Sequence, residues 1–173
     1  MKINELFSNF GNNIFFKKES LKDKEFLLSL YSSTRENELL ISSMNQIEKK
    51  NFIQEQFQLR QVDYKKRFHN AHFLLICRKK KNIGRVVFDV SNNIHLIDIA
   101  FVKKSRSCGF GTKIINKLIS YAKNQKQTFR LSVCMDNPKA LKLYERLGLK
   151  IVGTKGYYYS MEISFQEVEN KSL

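Results

Sequence analysis

Apolar residues recur at helical spacing in two stretches early in the chain and follow strand-like spacing over most of the remainder. The helical stretches are residues 21–31 and 46–68. In the second of them five apolar or aromatic residues have spacings compatible with a single helical face: Phe52, Ile53, Phe57, Tyr64 and Phe68. A short apolar run at residues 13–17 precedes them and predicts a strand. The first part of the chain is therefore predicted to contain one strand followed by two helices.

The later apolar segments predict strands and helices separated by short polar turns. The predicted strands are residues 71–78, 83–90, 94–102, 129–135, 150–154 and 157–164, and the predicted helices are residues 112–124 and 138–147. The element order is β-α-α-β-β-β-α-β-α-β-β, which predicts an α/β protein built on a mixed sheet. With 173 residues, 42% of them hydrophobic, the chain is expected to form a single domain, 1–173. Its core is expected at about residues 13–165, with loose ends outside it.

Two glycines, Gly109 and Gly111, stand where the predicted strand 94–102 gives way to the predicted helix 112–124. Glycines at such a junction let the backbone approach a ligand closely, and the N–H groups that begin a helix attract an anion such as phosphate. A dinucleotide-binding loop would need a third glycine where Ile114 stands, and a nucleoside-triphosphate loop would end in Gly-Lys-Ser/Thr. What remains is the pattern Arg-x-x-Gly-x-Gly, which begins at Arg106.

A second motif follows the glycine loop in the predicted helix 138–147. Asn137 is a good N-cap, Pro138 suits the first helical position, and Gly148 can adopt the left-handed conformation that ends a helix. In this order the two motifs resemble the GNAT superfamily of acetyl-CoA-dependent N-acetyltransferases, whose signatures are Gln/Arg-x-x-Gly-x-Gly/Ala and Asn-x-x-Ala-x-x-Leu-Tyr-x-x-x-Gly-Phe. Leu149 departs from the usual final Phe. The predicted element order is also that of the superfamily, so the resemblance covers nearly all of the chain.

The resemblance implies a GNAT-like fold in which the parallel strands 94–102 and 129–135 splay apart around acetyl-CoA. Main-chain groups near Phe101 and Val102 are expected to pair with the pantetheine arm, and N–H groups of the glycine loop to hold the pyrophosphate. The residues expected to bind the co-substrate are Phe101, Val102, Arg106, Ser107, Cys108, Gly109, Phe110, Gly111, Thr112 and Asn137. No metal is expected.

The implied reaction is direct transfer of an acetyl group from acetyl-CoA to a primary amine of an unknown acceptor, in a ternary complex. Tyr144 matches the family tyrosine that protonates the departing thiolate. A phenol suits this task because its ordinary pKa, near 10, is close to that of a thiol. The alternative role for the ring is packing on the apolar face of its helix, and both roles are compatible.

The base that deprotonates the amine is open. Asp98 is the only acidic residue in the otherwise apolar segment 96–102, and a buried carboxylate is costly unless it has a partner or a function. Either Asp98 is the base, or it forms an ion pair with Arg85 if the turn at residues 91–93 puts both on one face of the sheet. His72 and His95 are alternative bases, and so is a relay of water molecules.

The net charge of +15 is concentrated in the middle of the chain. Residues 1–63 hold nine Lys or Arg against nine Asp or Glu, whereas residues 64–157 hold 21 against four. A positive field in that part favours the approach of a polyanion such as acetyl-CoA. It also permits a basic nucleic-acid-binding module, but helix-turn-helix, zinc-finger and RNA-recognition signatures are absent from the sequence, so nucleic acid is not the predicted partner. A third interpretation is a CoA-binding domain of the same fold without catalysis.

The cysteines and the length of the apolar runs bear on disulfides, zinc binding and cellular location. Cys77, Cys108 and Cys134 are odd in number and lack Cys-x-x-Cys spacing, which argues against a disulfide framework or a zinc site. No run approaches the roughly 18 apolar residues of a membrane span, and the N-terminal residues lack a secretory pattern. A cytoplasmic protein without a membrane partner is expected. A homodimer stays open, because edge strands of the sheet could pair between chains.

Overall fold

The computed structural model describes residues 6–7, 10–11 and 13–166 and shows a mixed sheet of seven strands. The strands are β1 (Ile14–Lys18), β2 (His72–Arg78), β3 (Lys81–Asp89), β4 (Ile94–Phe101), β5 (Phe129–Cys134), β6 (Lys150–Lys155) and β7 (Tyr158–Ile163). The helices are α1 (Lys24–Thr34), α2 (Glu36–Ile41), α3 (Gln46–Arg67), α4 (Phe110–Asn124) and α5 (Pro138–Arg146). The hydrogen-bonded strand order is β1-β2-β3-β4-β5-β7-β6. The predicted α/β class with a mixed sheet is confirmed.

The predicted order of elements holds apart from one extra helix. Helix α2 lies between the two predicted early helices, and none of its six residues is buried. It spans fewer than two helical turns, too few to show a helical period, although Leu39 packs partly buried against the core. The first predicted helix also begins differently, with a short 3₁₀ turn at Leu21–Asp23 before α1 starts.

Contacts within the chain divide it into two compact units. The α1–α3 unit comprises Asn9–Val87 and Asp98–Cys108. The α4–α5 unit comprises the described residues of Met1–Ser8, Phe88–Ile97 and Gly109–Leu173.

In the α1–α3 unit, two helices share a hydrophobic core with the sheet. The core joins α1, α3 and β2 through the buried side chains of Leu27, Tyr31, Ile53, Phe57, Leu75 and Cys77. Helix α3 begins firmly because the Asn45 side chain accepts hydrogen bonds from the N–H groups of Ile47 and Glu48, while Glu48 accepts one from the N–H of Asn45. Strand β1 pairs antiparallel with β2, from Ile14 opposite Arg78 to Lys18 opposite Leu74.

In the α4–α5 unit, β4 and β5 are parallel, as predicted. Their ladder joins Ile94, His95 and Leu96 to Phe129, Arg130 and Leu131, and it stops there although β4 continues to Phe101 and β5 to Cys134. Strand β5 also pairs antiparallel with β7, which pairs with the exposed strand β6. Helix α4 contributes a fully buried face that includes Ile114 and Leu118.

The expected loose N-terminal end is wrong for three described residues. Leu6, Phe7 and Phe10 are all buried, because aromatic and aliphatic side chains there join the cores of the two units. The Phe7 ring packs edge-on against Phe88 at 5.7 Å between centroids, and the Phe10 ring packs likewise against Phe16 at 5.3 Å. The core therefore begins before residue 13. The expected loose C-terminal end lies, beyond residue 166, outside the described residues.

Candidate active site

The glycine loop carries two left-handed residues just before α4. Ser107 has φ +58° and Gly109 has φ +78°. A left-handed serine is strained, and such strain concentrates where the backbone serves a function. Gly109 is the N-cap of α4, and the first main-chain bond of the helix runs from the N–H of Lys113 to the Gly109 carbonyl at 3.1 Å. The N–H groups of Gly109 through Thr112 precede that bond, so they form the positive end of the helix dipole.

The first part of the loop belongs to the α1–α3 unit and is tied there by Arg106. Its Nε donates to the Phe101 carbonyl at 2.9 Å, and its Nη2 donates to the carbonyl and hydroxyl of Ser33 at 3.1 and 2.8 Å. Beside it, Lys103 donates to Glu36 at 2.7 Å. The Arg106 side chain thus fastens the loop to the end of α1, and its main-chain N–H donates to the Lys103 carbonyl at 3.2 Å.

Main-chain groups of Phe101 and Val102, expected to pair with the pantetheine arm, already have protein partners. The Val102 N–H donates to the Ile83 carbonyl at 2.9 Å, and the Val102 carbonyl accepts from Ser105 at 2.8 Å. The Phe101 carbonyl accepts from Arg106. A carbonyl oxygen can accept a second hydrogen bond, whereas an N–H has one hydrogen to give. Of the Val102 main chain, only the carbonyl keeps capacity for a ligand.

Cys108 is exposed at the same loop. Its Sγ lies 3.4 Å from the Arg106 carbonyl and 3.9 Å from that of Lys104. These contacts hold the thiol against its own loop.

Tyr144 lies on α5 in the α4–α5 unit and is 8% exposed. Its helix starts where the predicted cap forms, because the Asn137 side-chain oxygen accepts a hydrogen bond from the N–H of Ala140 at 3.1 Å. Gly148, with φ +90°, ends the helix in the left-handed conformation that the sequence predicted. The phenol is therefore held on a well-defined helix with little access to solvent.

Asp98 lies in a charge cluster of the α1–α3 unit. Its Oδ1 accepts from Arg60 Nη2 at 2.9 Å, and its Oδ2 lies 3.4 Å from Arg85 Nη1. Arg85 also donates to Glu19, with Nε 2.6 Å from Oε1, and to Gln61 Oε1 at 2.9 Å. Arg85 and Asp98 therefore share a face of the sheet, which answers the question of register that the turn at residues 91–93 left open.

The cluster is buried enough to change the pKa values of its members. Burial raises the pKa of the Glu19 carboxyl above its usual range, although Arg85 acts in the opposite direction. Burial and the Asp98 charge raise the pKa of Tyr64 to about 12, so this phenol stays protonated at physiological pH. Burial lowers the pKa of Arg60, but Asp98 and Tyr64 more than offset it, and the guanidinium stays charged.

Three contributors to these arrangements went unrecognised in the sequence: Arg60, Ser33 and Gly84. Arg60 and Asp98 are 38 residues apart, and Ser33 and Arg106 are 73 apart, so no local pattern links them. Gly84 permits a close approach of β3 to the end of β4, since a Cβ there would lie 2.5 Å from the Ala100 carbonyl oxygen. An isolated glycine inside a predicted strand was the signal that could have found it.

Two further observations concern the described residues only. They contain no helix that is both long and apolar enough to span a membrane. Nor do they bring three or more His, Cys, Asp or Glu side chains together in a group that could hold a metal ion.

The rival bases His72 and His95 are both half-buried.

Solved structures share the fold of this chain. The PaiA N-acetyltransferase from Thermoplasma acidophilum, in complex with coenzyme A, gives a TM-score of 0.65 at 19% identity, covering 87% of this chain and 98% of that chain. PH1933 from Pyrococcus horikoshii OT3 gives 0.66 at 22% identity, covering 90% and 99%. A spermidine N-acetyltransferase from Vibrio cholerae, in complex with CoA and spermine, gives 0.58 at 19% identity, covering 89% and 96%. At these identities the likeness establishes the fold alone.

Sequence comparison establishes the family. No curated protein sequence matches the chain. The family model for acetyltransferases of the GNAT type matches residues 41–149, which is more than half of the 173 residues. This match includes both the glycine loop and the Tyr144 helix. The chain therefore belongs to the GNAT family of acetyltransferases.

Proposed function

We propose that this protein transfers an acetyl group from acetyl-CoA directly to a primary amine of its acceptor, within a ternary complex. The observation that carries the proposal is the left-handed Gly109 at the start of α4, which aims the N–H groups of the first helical turn at one point. Together with family membership, this geometry supports a cradle for the pyrophosphate of acetyl-CoA. The CoA bound to the Thermoplasma relative is consistent with that assignment.

The cradle is formed by main chain rather than by the Arg106 side chain. That guanidinium is committed to Phe101 and Ser33, and the N–H of Arg106 to Lys103. The proposed phosphate donors are therefore the N–H groups from Ser107 through Thr112, and Arg106 fastens the first part of this loop. Asn137 is proposed to contribute through its side-chain NH₂ group, because its side-chain oxygen already accepts the hydrogen bond that caps α5.

Tyr144 is the proposed general acid. As the amine nitrogen forms its bond to the acetyl carbon and the C–S bond breaks, the Tyr144 O–H gives its proton to the departing thiolate sulfur. Burial of the ring at 8% exposure keeps the phenol in one place and limits exchange with water.

For the base, the contacts of Asp98 favour the ion-pair interpretation. Both carboxylate oxygens of Asp98 are paired with guanidinium groups, and these cations would repel an incoming ammonium group. We therefore propose that Asp98 positions Arg60 and Arg85, and that the amine loses its proton to water.

A coupled assay of thiol release from acetyl-CoA over an amine library tests the function. Intersecting double-reciprocal lines are expected for direct transfer, whereas parallel lines would indicate a covalent acetyl-enzyme and contradict the ternary complex. Tight CoA binding without turnover by any amine would instead support the non-catalytic alternative. Salt-dependent retention of oligonucleotides without thiol release would support the nucleic-acid alternative.

A further inference from the structure

The Arg60 guanidinium is fixed by its neighbours on two of its three nitrogens. Nε donates to the Tyr64 hydroxyl at 2.7 Å, and Nη2 donates to Asp98 at 2.9 Å. The central carbon lies 5.4 Å from the ring centroid of Tyr31 and 5.1 Å from that of Tyr64. Among the described residues, none accepts a hydrogen bond from Nη1, and the side chain is 32% exposed. The Nη1 group of a rigid guanidinium is thus left without a protein acceptor.

Three other polar groups near Arg60 keep a hydrogen to donate. In the described part of the chain, the Tyr31 hydroxyl has no hydrogen-bond partner, and the Tyr64 hydroxyl accepts from Arg60 without donating onward. Gln61 Nε2 is buried without an acceptor, while the oxygen of the same amide is used by Arg85. A pKa of about 12 keeps the Tyr64 hydroxyl a donor. The group that would complete this set is an acceptor of hydrogen bonds.

A cationic group does not fit the same place. Tyrosine faces attract ammonium groups, but Arg60 already lies over both rings. A second cation on the same side of the rings would therefore meet the guanidinium at short range.

We infer that Arg60, with the hydroxyls of Tyr31 and Tyr64, forms a carboxylate-binding subsite, and that the amine acceptor of this acetyltransferase carries a carboxylate. A carboxylate suits the uncommitted Nη1 group, because a guanidinium forms charge-assisted hydrogen bonds with carboxylate oxygens. A free amino acid or a peptide with a free C-terminus has this chemistry. The inference rests on the proposed function for its link to the acceptor. Asp98 supports the subsite by holding Arg60 in place.

Glycine, diglycine and triglycine, each as the free acid and as the C-terminal amide, test the inference as acceptors. Rates are compared per unprotonated amine, with spermidine as the cationic comparison. For at least one length, kcat/KM for the acid is expected to exceed that for the amide by about tenfold or more, the effect of a charge-assisted hydrogen bond. The preferred length distinguishes an amino acid from a peptide. Equal values for acid and amide at every length, or spermidine as the best acceptor, would overturn the inference.

Matched variants assign the preference to Arg60. Arg60→Gln is expected to reduce the acid-to-amide ratio to about threefold or less, with the KM for acetyl-CoA unchanged, whereas Arg60→Lys should retain part of it. Tyr31→Phe removes one hydroxyl and keeps the ring, so the ratio should fall about threefold. Arg67→Gln is the control, because Arg67 lies on the same helix in an exposed pair with Asp63. An undiminished ratio in both Arg60→Gln and Tyr31→Phe would contradict the subsite.

A binding measurement separates this inference from the proposed function. N-acetyl-diglycine as the acid and as the amide are titrated by calorimetry into the protein saturated with CoA. The acid is expected to bind about tenfold more tightly in the wild type, and Arg60→Gln should remove the difference. If no amine were acetylated, the proposed function would be refuted. The difference in binding between the acid and the amide would still show whether the carboxylate subsite exists. Equal binding of acid and amide would overturn it.

Discussion

Arg85 holds Asp98 on one face of the sheet, with Nη1 3.4 Å from Oδ2 across 13 residues of sequence. The Arg85 side chain is 5% exposed and that of Asp98 is 12% exposed, so the pair is shielded from water. Arg85 Nε also lies 2.6 Å from Glu19 Oε1, so one guanidinium is shared by two carboxylates that repel each other. Removing one member of such a buried set leaves a charge without compensation.

Asp98→Asn is therefore expected to act mainly on stability. Arg60 would lose its carboxylate partner and Arg85 one of two, at a cost of about 3 kcal/mol in the free energy of unfolding measured by urea. With amine acceptors that end in a C-terminal amide, kcat should fall less than about tenfold. A loss of 100-fold or more in kcat, together with loss of the acidic limb of the pH–rate profile, would instead identify Asp98 as the base. Asp63→Asn, in an exposed pair on α3, is the control.

Tyr144→Phe is expected to lower kcat by about 100-fold, because it removes the proposed proton donor. The ring stays, so packing of the α5 face and the Kd for acetyl-CoA should be nearly unchanged. Single-turnover kinetics and calorimetry measure the two effects separately. Tyr121→Phe, a similar change on α4, should have a normal kcat. An unchanged kcat in Tyr144→Phe would remove this residue from the mechanism.

Gly109→Val is expected to weaken acetyl-CoA binding at least about tenfold, or 1.4 kcal/mol, by calorimetry. The left-handed backbone disfavours valine, and the added side chain would stand at the mouth of the helix dipole. The Gly156→Val variant provides a matched control. Gly156 is also left-handed and also has open space around its Cβ position, but it lies in the β6–β7 turn. Comparable destabilisation of both variants with loss of affinity in both would contradict the proposed cradle.

The sequence specified the local parts of the site better than the contacts between them. Gly109, Asn137 and Gly148 have the conformations or caps that their residue types predict, because a turn or a helix end is decided by neighbouring residues. The Arg60–Asp98 pair depends on how α3 packs in the α1–α3 unit, which no local pattern encodes. Whether Arg85 lies on the same face of the sheet as Asp98 depended on the length of a single turn, at residues 91–93.

Gly84→Ala is expected to destabilise the protein by about 3 kcal/mol, at the upper end for overpacking. The new Cβ would lie 2.5 Å from the Ala100 carbonyl oxygen and 2.8 Å from the Phe101 ring, so the end of β4 must move. Urea unfolding measures the loss. Gly153→Ala on β6 is the control, since nothing lies within 4 Å of its Cβ position, and its stability should change by less than about 1 kcal/mol. Equal stability of the two variants would contradict the close approach.

Asp23→Asn is expected to show a pH-dependent loss of stability. The hydrogen bond from the Ser20 hydroxyl at 2.7 Å and that from Lys17 at 3.0 Å lower the pKa of the Asp23 carboxyl below its usual range. The unfolded chain then takes up this proton first as pH falls, so the stabilisation is complete above the unfolded pKa near 4 and disappears through the lower folded pKa. At pH 7 the variant should lose about 2 kcal/mol in urea unfolding, and the gap should close as pH falls below about 4.

A double-mutant cycle that combines Asp23→Asn with Ser20→Ala separates the pH-dependent stabilisation by Asp23 from that by Glu19. Burial raises the pKa of Glu19, so its protonation as pH falls favours the folded state and opposes the Asp23 effect in the wild-type curve. Both single variants keep Glu19, and its contribution cancels in the cycle when the same four proteins are compared at each pH. A coupling energy of about 1 kcal/mol is expected at pH 7, and it should fall toward zero as acid protonates Asp23. A coupling that stays constant over this range would show that the carboxylate charge is not what Ser20 stabilises.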